Sequence, residues 1–150
     1  MIWSYRPGAT PTPTCTLTLA PYPLPTATPT QLADPEIDRL DGQGELFSYD
    51  GRTYLGLVVS DSQRADSLIN PEGAYGSATS VTSISNPDGP YGGGDSPTSA
   101  YNPQAPHPPI IWLWDGQNYQ FVAFVTTNNQ KRPRIDPDYL LDYLRAKAAH

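Results

Sequence analysis

At 150 residues the chain has room for about one domain, yet Leu, Ile, Val and Phe number only 28 and Pro with Gly 30, which excludes a core running its whole length. The net charge of −6 is uneven: residues 34–115 hold twelve acids against Arg39, Arg52 and Arg64, an acidic body that speaks against nucleic-acid binding. No apolar run approaches the roughly 18 residues of a membrane span, and the single Cys15 excludes an intrachain disulfide and a Cys-based zinc cage.

The start, Met1-Ile-Trp-Ser-Tyr-Arg-Pro7, lacks a basic stretch followed by an apolar one, so no secretory signal is expected unless the true start lies upstream. Residues 7–30 hold seven Pro and eight Thr, including Thr10-Pro-Thr-Pro-Thr14. Pro fixes φ and removes a backbone donor, so residues 1–33 are expected to form a disordered or polyproline II spacer. An O-glycosylated stalk is the sharper version of the same reading. A compact β-rich domain is expected over 34–150.

Asp34-Pro35-Glu36 reads as a helix start, with Asp34 as cap and Pro35 as the first helical residue; Asp41-Gly42 stops it after one or two turns. A β-hairpin follows, with Leu46–Tyr49 and Arg52–Val59 flanking Asp50-Gly51. Asp-Gly between β-rich runs is a strong hairpin signal, because both central turn residues want φ > 0. A second hairpin is expected from Ile110–Trp114, Asp115-Gly116 and Tyr119–Thr126. A shift of 65 residues superposes the two: Phe47 on Trp112, Tyr49 on Trp114, Tyr54 on Tyr119 and Leu57 on Val122. Duplication and convergence on hairpin chemistry account for this equally well. A lone hairpin is marginal, so the two are expected to pack together.

Between them, over residues 61–109, a 16-residue period recurs three times. The first unit carries Ser67, Asn70, Pro71, Gly73, Tyr75 and Gly76. The second carries Ser83, Asn86, Pro87, Gly89, Tyr91 and Gly92, and the third Ser99, Asn102 and Pro103, with His107 at the Tyr position. Pro drives the preceding Asn out of the α region. Asn-Pro-x-Gly then suits a tight turn in which Gly73 and Gly89 take φ > 0, and Ser can bond local backbone groups. Valine at Gly73 or Gly89 should therefore disturb a turn, whereas Gly93→Val should be mild. So few large apolar groups cannot make a core alone, and the units are expected to order against the hairpins. At the C-terminus Asp136 caps, Pro137 starts, and Leu140, Leu141 and Leu144 share one face, which predicts a helix over 137–148.

The units Asn70-Pro-Glu-Gly-Ala-Tyr-Gly-Ser77 and Asn86-Pro-Asp-Gly-Pro-Tyr-Gly92, with Tyr54-Leu-Gly56 before them and Pro108-Pro-Ile110 after, resemble small bacterial proteins carrying N-P-Y-G-x-Y-G-S repeats. The resemblance spans about residues 53–111, departs where Glu72 and Asp88 replace the first Tyr, and implies no activity.

Chemistry-bearing patterns are scarce. His107 sits in Ala105-Pro-His-Pro-Pro109, where a packed ring is the expected role, and no G-x-S-x-G, S-x-x-K, H-E-x-x-H or phosphate-binding loop is present. Asp61, Asp66, Glu72, Asp88 and Asp95 lie in a turn-rich stretch, but without a calcium-loop pattern they read as a solvated acidic surface. Neither a catalytic residue, a metal nor a cofactor is expected. The reading that remains is a non-catalytic structural or interaction module, secreted or on the cell surface, with the cytoplasm as the alternative location. In a second reading Tyr49, Tyr54, Trp112, Trp114 and Tyr119 form a stacking platform for a glycan, a peptide or a second copy. A small hydrolase using two carboxylates is the alternative from a different class.

Overall fold

A computed structural model describes residues 33–149; the expected Pro/Thr spacer lies, but for Ala33, outside the described residues. The elements in chain order are α1 (Asp34–Leu40), β1 (Gly44–Phe47), β2 (Tyr54–Val58), β3 (Ile110–Trp114), β4 (Tyr119–Val125), β5 (Arg134–Ile135) and α2 (Pro137–Ala148). The five strands form one mixed sheet in the order β2-β1-β3-β4-β5. The first three pairings are antiparallel and β5 runs parallel to β4. The protein is thus mainly β with a C-terminal helix and a long irregular stretch between β2 and β3.

Leu46 of β1 pairs with Ile111 of β3, its own counterpart under the 65-residue shift, while Glu45 faces Trp112 and Phe47 faces Ile110. The two antiparallel pairs are therefore related by a local two-fold axis through that rung. Each pair also carries a register irregularity at the equivalent place, between Leu46 and Phe47 and between Ile111 and Trp112. The connections are wider than two-residue turns. In the first, the Ser48 amide donates to Thr53 O and the Gly51 amide to Ser48 O; in the second, the Asp115 amide donates to Asn118 O. Only the glycine of each Asp-Gly pair is left-handed, at φ 74° for Gly51 and 101° for Gly116. The Asp side chains do the rest, with Asp50 accepting from the Arg52 amide and Asp115 from those of Gln117 and Asn118.

The core lies on one side of the sheet. Leu46, Leu55, Val58, Ile111, Leu113 and Val125 meet Ile37 and Leu40 of α1 and Leu140, Leu141 and Leu144 of α2. Leu68, Ile84 and Ala100, spaced by 16, enter the same core fully buried. At that spacing the same bonds recur. Asn70, Asn86 and Asn102 donate from Nδ2 to the carbonyls of Arg64, Ser80 and Ser96, and accept at Oδ1 from the amides of Glu72, Asp88 and Gln104. Buried Ser67, Ser83 and Ser99 accept at Oγ from the amides of Ile69, Ser85 and Tyr101. Thr82 and Thr98 donate to the carbonyls of Ala74 and Pro90, eight residues back. The stretch is tied to the sheet at both ends, through Leu57 and Leu68 on one side and Thr127 and Ala100 on the other.

Two local expectations need correction. Gly73 and Gly89 are not left-handed. The Asn side chain already closes each turn from its own Oδ1, so no positive φ is required there. The critical glycines are Gly76 and Gly92, on whose backbones the Asn70 and Asn86 carbonyls sit so closely that a Cβ would overlap them. Gly93 is also tighter than expected, with Gly89 O 3.0 Å from a built Cβ. At α1 the cap is Ala33, with no side-chain bond, and Asp34 is the first helical residue. Asp34 instead accepts from the Tyr139 hydroxyl of α2. Asp136 caps α2 by accepting from the amides of Asp138 and Tyr139.

The helices are joined by a polar clamp. Lys147 Nζ lies 2.9 Å from Asp38 Oδ1 and 2.9 Å from Asp41 Oδ2, the Tyr143 hydroxyl donates to Asp38 at 2.7 Å, and both the amide and hydroxyl of Ser60 donate to Asp41 at 2.7 Å. Lys147 and then Tyr143 hold the Asp38 carboxyl below the usual range. Burial pushes the Asp41 carboxyl up, but the Ser60 and Lys147 bonds together outweigh it and leave it lowered. Carboxyls depressed in the folded state stabilise it fully above their unfolded value of about 4, and that stabilisation is lost as pH falls through the folded value. The urea midpoint is therefore expected to drop as the pH is lowered below about 4, and Asp41→Asn to weaken that dependence. A midpoint flat over that range, or equally steep in the variant, would contradict the clamp.

Candidate aromatic binding face

Alternation along the strands places Glu45, Phe47, Ile110, Trp112 and Trp114 on the side away from the core. Their partners extend two rows across the sheet: Tyr54, Phe47, Ile110 and Phe124 in one, Leu57, Glu45, Trp112 and Phe121 in the next; Trp114 faces Tyr119 beyond them. Simple alternation would put Phe121 and Phe124, three apart, on opposite faces. The irregularity opposite Ile111 and Trp112 inserts Val122 and returns both rings to one face, with centroids 5.2 Å apart.

The rings form two connected runs. Tyr75 meets Tyr54 at 5.1 Å, Tyr54 meets Phe47 at 5.3 Å, Phe47 meets Tyr119 at 6.0 Å and Tyr119 meets Trp114 at 5.0 Å. Trp112 meets Phe121 at 5.9 Å, and past Phe124 the run continues to Tyr49 at 6.3 Å and from Tyr49 to His107 at 4.8 Å. Most contacts are edge-to-face, the arrangement the ring quadrupole favours. Tyr49, Trp114, Tyr119 and Phe121 are 40–47% exposed, four of the six large exposed hydrophobic side chains among the described residues. A shallow depression of 230 Å³, lined by Phe47, Gly51, Trp112 and Tyr119, opens on this face.

The rim is charged. Glu45 carries the Tyr119 hydroxyl at 3.3 Å. The Ser48 hydroxyl and the Arg52 amide hold Asp50 below the usual carboxyl range, and the amides of Asn118 and Gln117 with the Gln120 side chain do the same for Asp115. Burial first, then the nearby Asp66 and Glu45, pushes the Tyr54 hydroxyl up to about 12, so it stays a neutral donor. Lys131 Nζ stands 5.7 Å from the ring centres of both Tyr49 and Phe124. The face thus presents edge-packed rings, neutral hydroxyls, three carboxylates and two cations, Lys131 and, beside Asp50, Arg52.

All five residues of the expected platform, Tyr49, Tyr54, Trp112, Trp114 and Tyr119, lie on or beside this face. Sequence reasoning missed Phe121 and Phe124, because the irregularity that aligns them has no signature, and missed Lys131 for want of any local pattern. The residues of the 16-residue period lie elsewhere, apart from Tyr75 and the third-unit His107, which edge the face.

Beside the face a cleft of 350 Å³ is lined by Ser48, Tyr49, Asp50, Tyr91, Thr98 and His107. Its histidine is not joined to its serine or aspartate. The Ser48 hydroxyl donates to Asp50 Oδ1 at 2.6 Å, and His107 packs edge-on against Tyr49. The acids weighed for calcium are also dispersed: Asp66 pairs with Arg64 at 2.9 Å, and Asp61 accepts from the Gln63 amide. Among the described residues no group of three or more His, Cys, Asp or Glu is placed to hold a metal ion. No described helix is long and apolar enough to cross a membrane.

No family model, curated protein or solved structure matches the chain.

Proposed function

We propose that the protein is a non-catalytic interaction module whose aromatic sheet face binds an extended ligand, with a proline-rich peptide as the best fit. The supporting observation is that Tyr49, Trp114, Tyr119 and Phe121 are half-exposed and lie in two ring runs, Trp114 with Tyr119 and Tyr49 with Phe121 through Phe124, on a sheet whose other side is the core. Several large rings half-exposed on one sheet face mark an interaction site more often than a bare surface. Proline rings stack on aromatic faces, and polyproline II segments lose little entropy on docking. In this reading the two Asp-Gly hairpins packed through β1 and β3, and the three-unit repeat over 61–109, are the scaffold that fixes the platform. A glycan is the competing ligand, favoured by the hydroxyl and carboxylate rim.

The test is titration of the full chain, carrying fluorotryptophan, with proline-rich peptides and with oligosaccharides up to millimolar. Ligand-dependent shifts of the Trp112 and Trp114 signals are expected, with Trp114→Ala weakening binding about 10-fold or more and Val81→Ala leaving it unchanged. Val81 is 68% exposed and lies on the irregular stretch. Silence to every ligand, or equal loss in both variants, contradicts the reading. Shifts caused by glycans alone would replace peptide with glycan as the ligand.

A further inference from the structure

Resting on that reading of the aromatic face, we propose that its first occupant is the chain's own Pro/Thr segment, residues 7–30, laid across the rings in polyproline II form. Three observations converge on it. The first is chemical. Ala20-Pro-Tyr-Pro-Leu-Pro25 is an uninterrupted apolar run with Pro at every second place, flanked by further Pro at 11, 13 and 29. With three residues per turn, every side of such a helix presents an apolar group, which suits a row of rings rather than a single pocket. Its prolines also lower the entropy lost on docking.

The second is reach. The described chain begins at Ala33, eight residues after Pro25. A domain of this size has a radius of gyration of about 13 Å. The 20 residues between Pro13 and Ala33 span up to roughly 60 Å at about 3.1 Å each in polyproline II. The segment can therefore pass from α1, on the core side, round to the aromatic side. A tether of this kind holds its ligand at roughly millimolar effective concentration, so an interaction too weak to detect between molecules is populated within one.

The third is charge. The first thirty residues carry Arg6 as their only charged side chain, whereas the rim of the face carries Glu45, Asp50 and Asp115 against Lys131 and Arg52, the latter beside Asp50. The segment meets no like-charge penalty there, and Arg6 complements the acidic rim.

The sequence supplies its own probe, because Cys15 is the single cysteine and lies within the segment. A nitroxide on Cys15 of the full chain is read through fluorotryptophan at Trp112 and Trp114, with Trp3→Phe removing the third signal. Docking is expected to broaden both signals about threefold or more, reversibly with ascorbate and independently of dilution. The broadening should vanish with Pro21→Ser, Pro23→Ser and Pro25→Ser together. No broadening, or broadening that survives those changes as for a random tether, overturns the proposal. Broadening that appears only between mixed, separately labelled copies overturns it in favour of exchange between chains. A synthetic peptide of residues 7–30 added to the proline variant separates the two levels. If it shifts Trp112 and Trp114 while the intact chain shows no broadening, the binding face stands and its internal occupant falls. If neither this peptide nor any other ligand shifts them, the binding reading falls as well.

Discussion

Gly92→Ala is expected to destabilise the fold by about 3–5 kcal/mol, a large share of the roughly 5–15 kcal/mol that holds a domain together. The added Cβ would overlap the Asn86 carbonyl oxygen and lie 2.6 Å from Ile84 O and 2.8 Å from the Asn86 carbonyl carbon. These are backbone atoms, fixed by the Asn86 turn and by the buried Ile84 side chain, so they cannot swing aside as a flexible side chain would. Gly76→Ala meets the same obstruction one unit earlier, at Asn70. Gly94→Ala is the matched control: nothing lies within 4 Å of its Cβ and its backbone is not left-handed. It should be neutral or stabilising by up to about 1 kcal/mol, through the unfolded chain. Urea midpoints of the three variants check this. Equal effects at Gly92 and Gly94 would mean that the close approach at Asn86 does not exist in solution.

Ile84→Ala is expected to cost about 2–5 kcal/mol, the range for emptying a fully buried aliphatic site. Ile84 has no solvent exposure and sits in the cluster that also holds Leu46, Ile111 and Leu144. It belongs to a stretch without regular structure, where substitutions would ordinarily be mild. Its cost should nevertheless register as a loss of global stability, because the middle unit supplies a side chain to the core shared by sheet and helices. Val81→Ala, three residues away and 68% exposed, should stay within about 0.5 kcal/mol.

How far the fold was legible follows from where each signal was written. The C-terminal helix carried its cap, first-turn Pro and apolar face within one short stretch, and Asp136, Pro137 and Leu140 occupy those roles. The strand pairs were announced by aromatic-rich runs around Asp-Gly, but the width of the connections was not. Asp50 and Asp115 bond forward to backbone amides and hold wider loops than the dipeptide alone implies. In the 16-residue units the sequence displayed Gly73 and Gly76 equally. Turn chemistry favoured Gly73, whereas the demand falls on Gly76, where backbone meets backbone, and that is a tertiary fact. Asn128 shows the converse. It closes a turn as the unit asparagines do, accepting from the Gln130 amide at Oδ1, yet no Pro follows it to mark the place. The rings of the candidate face were legible as types because rings alternate along the strands. Their completion by Phe121 and Phe124 depended on the irregularity at Val122, which alternation alone cannot foresee.

That the units and the sheet are one body, joined through Leu68, Ile84 and Ala100 in the shared core, is tested most directly by hydrogen exchange in rising urea on the full chain and on Ile84→Ala. The amides of Asn86 and Gly89, bonded to Ser83 O and Asn86 O, should open at the same free energy as those of β1 and β3, and Ile84→Ala should lower all of them by the same amount. If the unit amides open well below the strands, or if Ile84→Ala weakens the units and leaves β1 and β3 unchanged, the stretch between β2 and β3 is a separate layer and the shared core is refuted.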